Sequence, residues 1–536
     1  MDFAQFGFFF AQFYNSVYDS SMQKQKVSGF LIPFVLLLFF FISPPSIFAQ
    51  APFFEKFGVQ HLTGHEKDWS STVEAGAAWV RINPEGISPW ARIEPQNNVY
   101  DWSKSADWTA TGGVGLNKNI IGIIAGASNP EGYPSWAATN KCGPIDKVSL
   151  DEFAEFAKNL VERWDGDGTG DAQPPVRIGT WEILNEPDTR MQGDVFIPEC
   201  WGDHPELYAE LLKKTYTVIK QADPTARVTT GGFAICAPGT PNCQGTSLFN
   251  PDFLERFLSV PDIGNFFDYL NFHYYEIESS AWQEYGPGVA GKVNYVKQKL
   301  QEHGINKPMI VSETNACNGQ LVEGKTYTEQ DQANFMHKFA ARALSLPEVA
   351  DFNWWEIKDT KDYANCGFYR FDPAHPAFEG DKKPSYYALR SLDAYLANVY
   401  QTLPLFIFAG SMPSKEGYLL TSSRQVWWTN NNQSQAISIM GKTIQVTDTD
   451  TGSLTNITDG GVKDEDTVVN GRIGIQITDV PKYIEILAST IPPAFSIMDI
   501  KIGLSHYLST VDSLYQPADK KINVFDYVYM IGNIQK

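Results

Sequence analysis

The sequence predicts an α/β chain: a (β/α)8 TIM barrel followed by a small all-β domain and a short helical tail. Three features point that way. Eight short apolar runs lie between residues 55 and 400, amphipathic stretches separate them, and the pattern changes to two-residue alternation near residue 400.

In chain order, Lys24 and Lys26 precede the apolar segment Gly29 to Ile42, and a small residue follows at Ala49. This layout predicts a signal peptide over 22–49, cleaved after Ala49, and hence a secreted protein; an uncleaved membrane anchor is the alternative. Met22 stands just before the basic region, so residues 1–21 are expected to be a mis-called extension. The barrel is expected over 53–400. Its strand candidates are FGVQHL (57–62), AAWVRIN (77–83), IIGIIAG (120–126), VRIGTWEILN (176–185), RVTTGGFA (227–234), DYLNFHYY (268–275), PMIVSE (308–313) and FNWWEI (352–357). Helical candidates such as 150–164 and 205–221 lie between them. A doubly wound open sheet is the rival fold, but no GxGxxG follows the first run. A sandwich is expected over 405–488, where apolar and polar residues alternate between Gly, Asn and Asp turns. Residues 489–536 are expected to be a linker and tail.

The formal charge of −20 argues against nucleic acid and anionic membranes as partners, since polyanions are repelled. Fourteen Trp and 24 Tyr suit a carbohydrate-facing protein, because sugar rings stack on flat aromatic faces, although aromatics also fill cores. Six cysteines in an exported chain favour disulfides. Cys236 and Cys243 bracket a tight loop and form the best local pair. Cys142–Cys200 and Cys317–Cys366 are the pairing favoured for the rest.

Barrel active sites lie at the C-terminal ends of the strands, so polar residues there are the candidates. The fourth run ends in Asn185-Glu186 and the seventh in Glu313-Thr314-Asn315. The second carries Arg81, the sixth His273 and Tyr275, and the eighth Trp354 and Trp355. Two carboxyls facing one sugar are what glycoside hydrolysis needs. One donates a proton to the leaving oxygen, and the other attacks the anomeric carbon or activates water. Oligo- or polysaccharide is therefore the expected partner.

WEILNEPD followed by MIVSETN resembles the clan A glycoside hydrolases, over about residues 55 to 400. The texture is closest to family 39, with family 5 second; the missing His in IIGIIAGASNP disfavours family 5. The resemblance implies that Glu186 is the acid/base and Glu313 the nucleophile of a retaining mechanism. It also implies that Asn185 grips the sugar 2-hydroxyl, that Arg81 and Tyr275 serve Glu313, that His273 lines the site near Glu186, and that Trp355 forms a sugar platform. No cofactor and no metal are expected. His61 and His65 have the spacing of a metal pair without the Glu of HExxH, and no GxSxG offers a serine nucleophile. A non-catalytic carbohydrate-binding barrel and a transglycosylase are the rival functions.

The other acids receive lesser roles. Glu182 shares strand parity with Leu184 and Glu186 but is expected to lie too deep to act. Asp188 is expected to cap a loop. Glu276 and Glu356 are considered as hydroxyl-binding residues. The tail segment DKKINVFDYVYMIGN is similar to half of a dockerin repeat, with Asp519, Asn523 and Asp526 at ligand positions. Tyr515, Pro517 and Lys520 break the calcium pattern. The resemblance implies an anchoring or packing module over 498–536.

Overall fold

The structure is a computed structural model of the chain. It describes residues 51–61, 70–82, 88–105, 119–124, 132–173, 176–190, 199–237, 240, 243, 248–322, 324–360, 365–374, 379–406 and 408–488. Residues 1–50 (the expected signal peptide among them), His65, the side chain of His61 and the tail from 489 onward lie outside the described residues.

Eight parallel strands make the barrel: β1 (Phe57–His61), β2 (Trp79–Ile82), β3 (Asn119–Ile124), β4 (Thr180–Asn185), β5 (Arg227–Gly232), β6 (Leu270–Tyr275), β7 (Met309–Asn315) and β8 (Val349–Trp354). The order β5-β4-β3-β2-β1-β8-β7-β6 brings the two ends of the sheet together. Parallel bridges Thr229↔Tyr269 and Phe233↔Phe272 link β5 to β6. Each strand overlaps one of the eight apolar runs. Strands buried on both faces can be nearly all apolar, which is why these runs read as continuous rather than alternating.

The connecting helices follow from period and caps. Leu150–Trp164 starts at Ser149, whose hydroxyl accepts from Asp151 N. It buries Phe153, Phe156, Leu160 and Trp164 along one stripe and packs against Pro205–Ala222. Glu329–Leu344 begins with a full capping box between Thr328 and Asp331.

Beyond the barrel, Leu403–Pro404, Lys415–Leu419, Arg424–Thr429, Lys482–Ala488, Thr443–Asp448 and Leu454–Thr458 form a six-stranded sheet, in that order. Gln435–Met440 and Arg472–Ile477 form a second, two-stranded sheet. Alternate residues Ile437, Ile439, Ile473, Ile475 and Ile477 meet Ile444, Val446 and Ile484 in one core. The contact with the barrel is polar as well as apolar. Arg342 reaches Glu416 through Nε and Nη2 at 3.1 and 2.6 Å, and Tyr395 stacks on Tyr483 at 3.9 Å.

Three disulfides join Cys142–Cys200, Cys236–Cys243 and Cys317–Cys366, and no cysteine is free. Among the described residues, no helix is long and apolar enough to cross a membrane.

Candidate active site

The site begins with a kink at the end of β4. Leu184 and Glu186 both adopt left-handed backbone, at φ 66° and 49°. That conformation is unusual for residues with a Cβ, and here the surroundings hold it. Glu186 N donates to Gly232 O at 3.1 Å, and Thr189 returns its N–H and hydroxyl to Glu186 O at 3.1 and 2.8 Å. Pro187 lacks the N–H that would continue the ladder. The kink overturns the expected parity. Glu182 and Asn185, three residues apart, reach the same guanidinium, which an unbroken alternation would forbid.

Gly231 and Gly232 let β5 lie close against this bend. A Cβ on Gly231 would stand 2.7 Å from Ile183 O, and one on Gly232 would stand 2.1 Å from His273 Nε2. The imidazole therefore occupies space that only glycine leaves open.

Arg81, fully buried, sits at the centre. The β1–β2 register sets Gln60 beside it, and Gln60 Oε1 accepts from its Nη1 at 2.5 Å. Nη1 also donates to Glu313 Oε1 at 2.6 Å. Nη2 donates to Asn185 Oδ1 at 2.7 Å and to Glu182 Oε1 at 2.7 Å, and Nε donates to Glu182 Oε2 at 2.8 Å. Tyr275 donates its hydroxyl to Glu313 Oε2 at 2.6 Å. The β6–β7 register pairs His273 with Glu313. His273 Nδ1 lies 3.0 Å from Glu186 Oε1 and 3.6 Å from Glu313 Oε2.

The two carboxyls thus have different surroundings. Burial pushes Glu313 up, but the charges of His273 and Arg81 and the hydrogen bonds from Tyr275 and Arg81 outweigh it and hold the group below the ordinary carboxylate range. Burial and the Glu313 charge hold the Tyr275 phenol well above its usual range, so it stays a donor. Burial disfavours charge on His273, yet Glu313 and Glu186 together raise it. Glu186 receives neither Arg81 nor Tyr275 among its hydrogen bonds, and its side chain is 21% exposed against 10% for Glu313.

Trp355 lies just past the end of β8, and its ring meets Tyr275 edge to face at 6.1 Å and 78°. Asn315 Nδ2 donates to Trp355 O and, at 2.7 Å, to Cys366 O, so the Cys317–Cys366 link and the Trp355 main chain share one anchor. Trp354 faces the other way and stacks on Phe368 at 4.8 Å.

The remaining acids divide. Glu182 lies deep, but its side chain reaches the site through Arg81, so depth alone does not remove it. Asp188 caps the loop after β5, accepting from Ala234 N and Ile235 N at 3.0 and 2.8 Å. Burial, then the charge of Glu186, pushes it up to about 6. Glu276 does not face the mouth: it accepts from Tyr274 at 2.5 Å and stands 3.5 Å from Arg342, on the side toward the β-domain. Glu356 is buried, 1% exposed. Asp165, Asp167 and Asp171 lie together in the loop after the helix Leu150–Trp164, where their carboxylates accept turn N–H groups. One site residue, Gln60, has no place among the sequence candidates, whereas Asn315 is one of the polar residues that end the seventh run. Gln60 is a lone amide in an apolar run, visible as a polar interruption.

No family model matches this chain, and no curated protein matches its sequence. Solved structures do. A family 39 glycoside hydrolase from the gut symbiont Bacteroides cellulosilyticus WH2 superposes with a TM-score of 0.54 at 17% identity, over 82% of this chain and 81% of that one. A GH30 endoxylanase from Clostridium papyrosolvens C71 gives 0.48 at 13%, over 82% and 97%. The GH39 enzyme from Xanthomonas axonopodis pv. citri gives 0.44 at 14%, over 82% and 95%. The first likeness bears on the fold, a (β/α)8 barrel with a C-terminal β-domain.

Proposed function

We propose that this chain is a secreted, retaining β-glycoside hydrolase of clan A, closest to family 39, acting on an oligo- or polysaccharide. One observation carries the reading: a single imidazole nitrogen touches both Glu186 and Glu313, while Arg81 and Tyr275 hydrogen-bond Glu313 alone. Two carboxyls at one point with unequal surroundings are the pair that acid and nucleophile roles require. A binding-only barrel has no need of such an asymmetry.

In this mechanism Glu313 attacks the anomeric carbon through one carboxylate oxygen. The bond from that carbon to the leaving oxygen breaks as Glu186 gives it a proton. Water then attacks the same carbon and yields its proton to Glu186, and the ester to Glu313 breaks. Asn185 holds the 2-hydroxyl, and Trp355 offers a flat face for the ring. The spacing is compatible with retention. The legs of 3.0 and 3.6 Å through His273 Nδ1, laid end to end, bound the distance between Glu186 Oε1 and Glu313 Oε2. That bound admits the roughly 5–5.5 Å carboxyl separation of retaining pairs. The named residues supply acid, base and nucleophile themselves, so no cofactor is invoked.

Export is supported by the leader over 22–49 and by three disulfides, which an oxidising compartment maintains. Anchoring through residues 498–536 is proposed from the dockerin-like tail. A glycan panel tests the function: the parent chain releases reducing sugar from at least one β-linked glycan, whereas Glu186→Gln and Glu313→Gln do not. Cleavage by both variants at the parent's rate would remove the two-glutamate mechanism.

A further inference from the structure

We propose that Glu182 is a positioning residue for this reaction: it clamps Arg81 edge-on and shares its charge, so that Arg81 meets Glu313 through a single N–H. This rests on the two-glutamate reading above.

A guanidinium has five N–H donors in a fixed plane. All five of Arg81 are engaged: two with Glu182, and one each with Gln60, Asn185 and Glu313. The paired contact, the strongest that Arg offers a carboxylate, goes to Glu182 and not to Glu313. Glu182 in turn accepts from Gly232 N at 3.0 Å, so its two oxygens receive three N–H donors from two residues. Both Arg81 and Glu182 have fully buried side chains. With the Nε/Nη2 edge thus occupied, Glu313 Oε1 receives one Arg81 donor and Oε2 receives Tyr275.

Without Glu182, the freed edge of Arg81 has Glu313 as its nearest alternative carboxylate. A two-bond pair would then hold the nucleophile's lone pairs and oppose its attack. The clamp also fixes where the Nη2 proton to Asn185 points, and so the amide that grips the substrate. A purely structural counter-ion would serve folding alone, which separates the two roles by experiment. Charged and titratable groups facing the clamp include Tyr208 from the helix Pro205–Ala222, His273 and Tyr275 on β6, Glu313 on β7 and Asp351 on β8, whose carboxyl the Arg81 charge pulls down against burial.

The test uses the full chain on the glycan that the parent cleaves, comparing Glu182→Gln, Glu182→Asp and Glu313→Gln. Glu182→Gln removes a negative charge from the cluster, which favours ionised Glu313. The acid limb of its kcat/KM profile therefore moves to lower pH, and the basic limb does not rise. Its kcat falls by about tenfold to a hundredfold, with KM within about threefold, because Glu182 touches no substrate and the Asn185 grip on the 2-hydroxyl counts mainly in the transition state. Glu182→Asp keeps the charge and loses the geometry, so its kcat falls while its limbs stay with the parent. The proposal is overturned if Glu313→Gln is inactive while Glu182→Gln matches the parent in kcat and in both limbs. Should Glu182→Gln fail to fold, a Glu182→Asp chain with the parent's kcat overturns it equally. Activity in Glu313→Gln would instead sink the two-glutamate reading itself.

Discussion

Arg81 Nη1 lies 2.6 Å from Glu313 Oε1, and the guanidinium making that contact is wholly buried between two carboxylates. Removing it takes the guanidinium away from buried Glu182 and leaves Glu313 with His273 and Tyr275. Breaking a buried pair from one side costs about 3–5 kcal/mol. Arg81→Met is therefore expected to lose that much in urea unfolding at neutral pH. Glu313 is held low in the folded chain, so its stabilising contribution is present above the ordinary carboxylate value of 4.5 and disappears as pH falls through the folded value. In Arg81→Met burial acts on Glu313 with one fewer opponent, and the deficit narrows in acid. A deficit that does not change with pH would contradict this.

Tyr275→Phe deletes one hydrogen bond to Glu313 and little volume. A hydrogen bond to a charged group contributes about 1.5–3 kcal/mol, so kcat/KM should fall by about tenfold to a hundredfold. Losing a donor disfavours ionised Glu313, so the acid limb moves to higher pH, opposite to the shift expected for Glu182→Gln. Matching shifts in the two variants would break the electrostatic account.

His273 carries the opposite linkage. Its folded value is raised above 6.5 by Glu313 and Glu186 against burial. The stability it contributes is complete below that ordinary value and is lost as pH rises through the folded one. His273→Asn should remove this component. Between about pH 6 and pH 9, the parent's unfolding midpoint should fall further than the variant's. Parallel curves would show that His273 does not titrate against the carboxyl pair.

The disulfides close loops of unequal length, with sequence separations of 58 for Cys142–Cys200 and 7 for Cys236–Cys243. Loop-closure entropy gives about 4 and about 2 kcal/mol respectively. Replacing both cysteines by serine should therefore lower the thermal midpoint more for the first pair, by calorimetry on the purified chain. The reverse order would mean that native contacts, and not chain entropy, set their contributions.

Much of the barrel was legible because buried parallel strands write themselves as apolar runs, and the ends of those runs advertise polar residues. Asn185, Glu186 and Glu313 stood out in this way. Glu182 does not, because its place four residues below the strand end hides it, whereas a five-donor guanidinium carries its influence upward. The bend at Leu184 left no glycine to announce it; the surrounding hydrogen bonds and the Gly231-Gly232 pair on the neighbouring strand hold it. Glu276 was considered as a sugar ligand because it follows β6. Its partners Tyr274 and Arg342 lie on the outer side, and Arg342 belongs to a helix far along the chain. The eighth strand lies earlier than its run, at Val349–Trp354 against 352–357, so Trp354 turns into the core and Trp355 begins the loop.

The central claim is that Glu313 forms the covalent bond and Glu186 supplies and removes the proton. Mass mapping of the Glu186→Ala chain, quenched during turnover of an activated aryl glycoside of the cleaved sugar, tests it most directly. The account predicts a glycosyl adduct on the peptide containing Glu313, in a variant unable to activate water for its release. A rapidly cleaving chain with no adduct, or an adduct on another carboxylate, would contradict it.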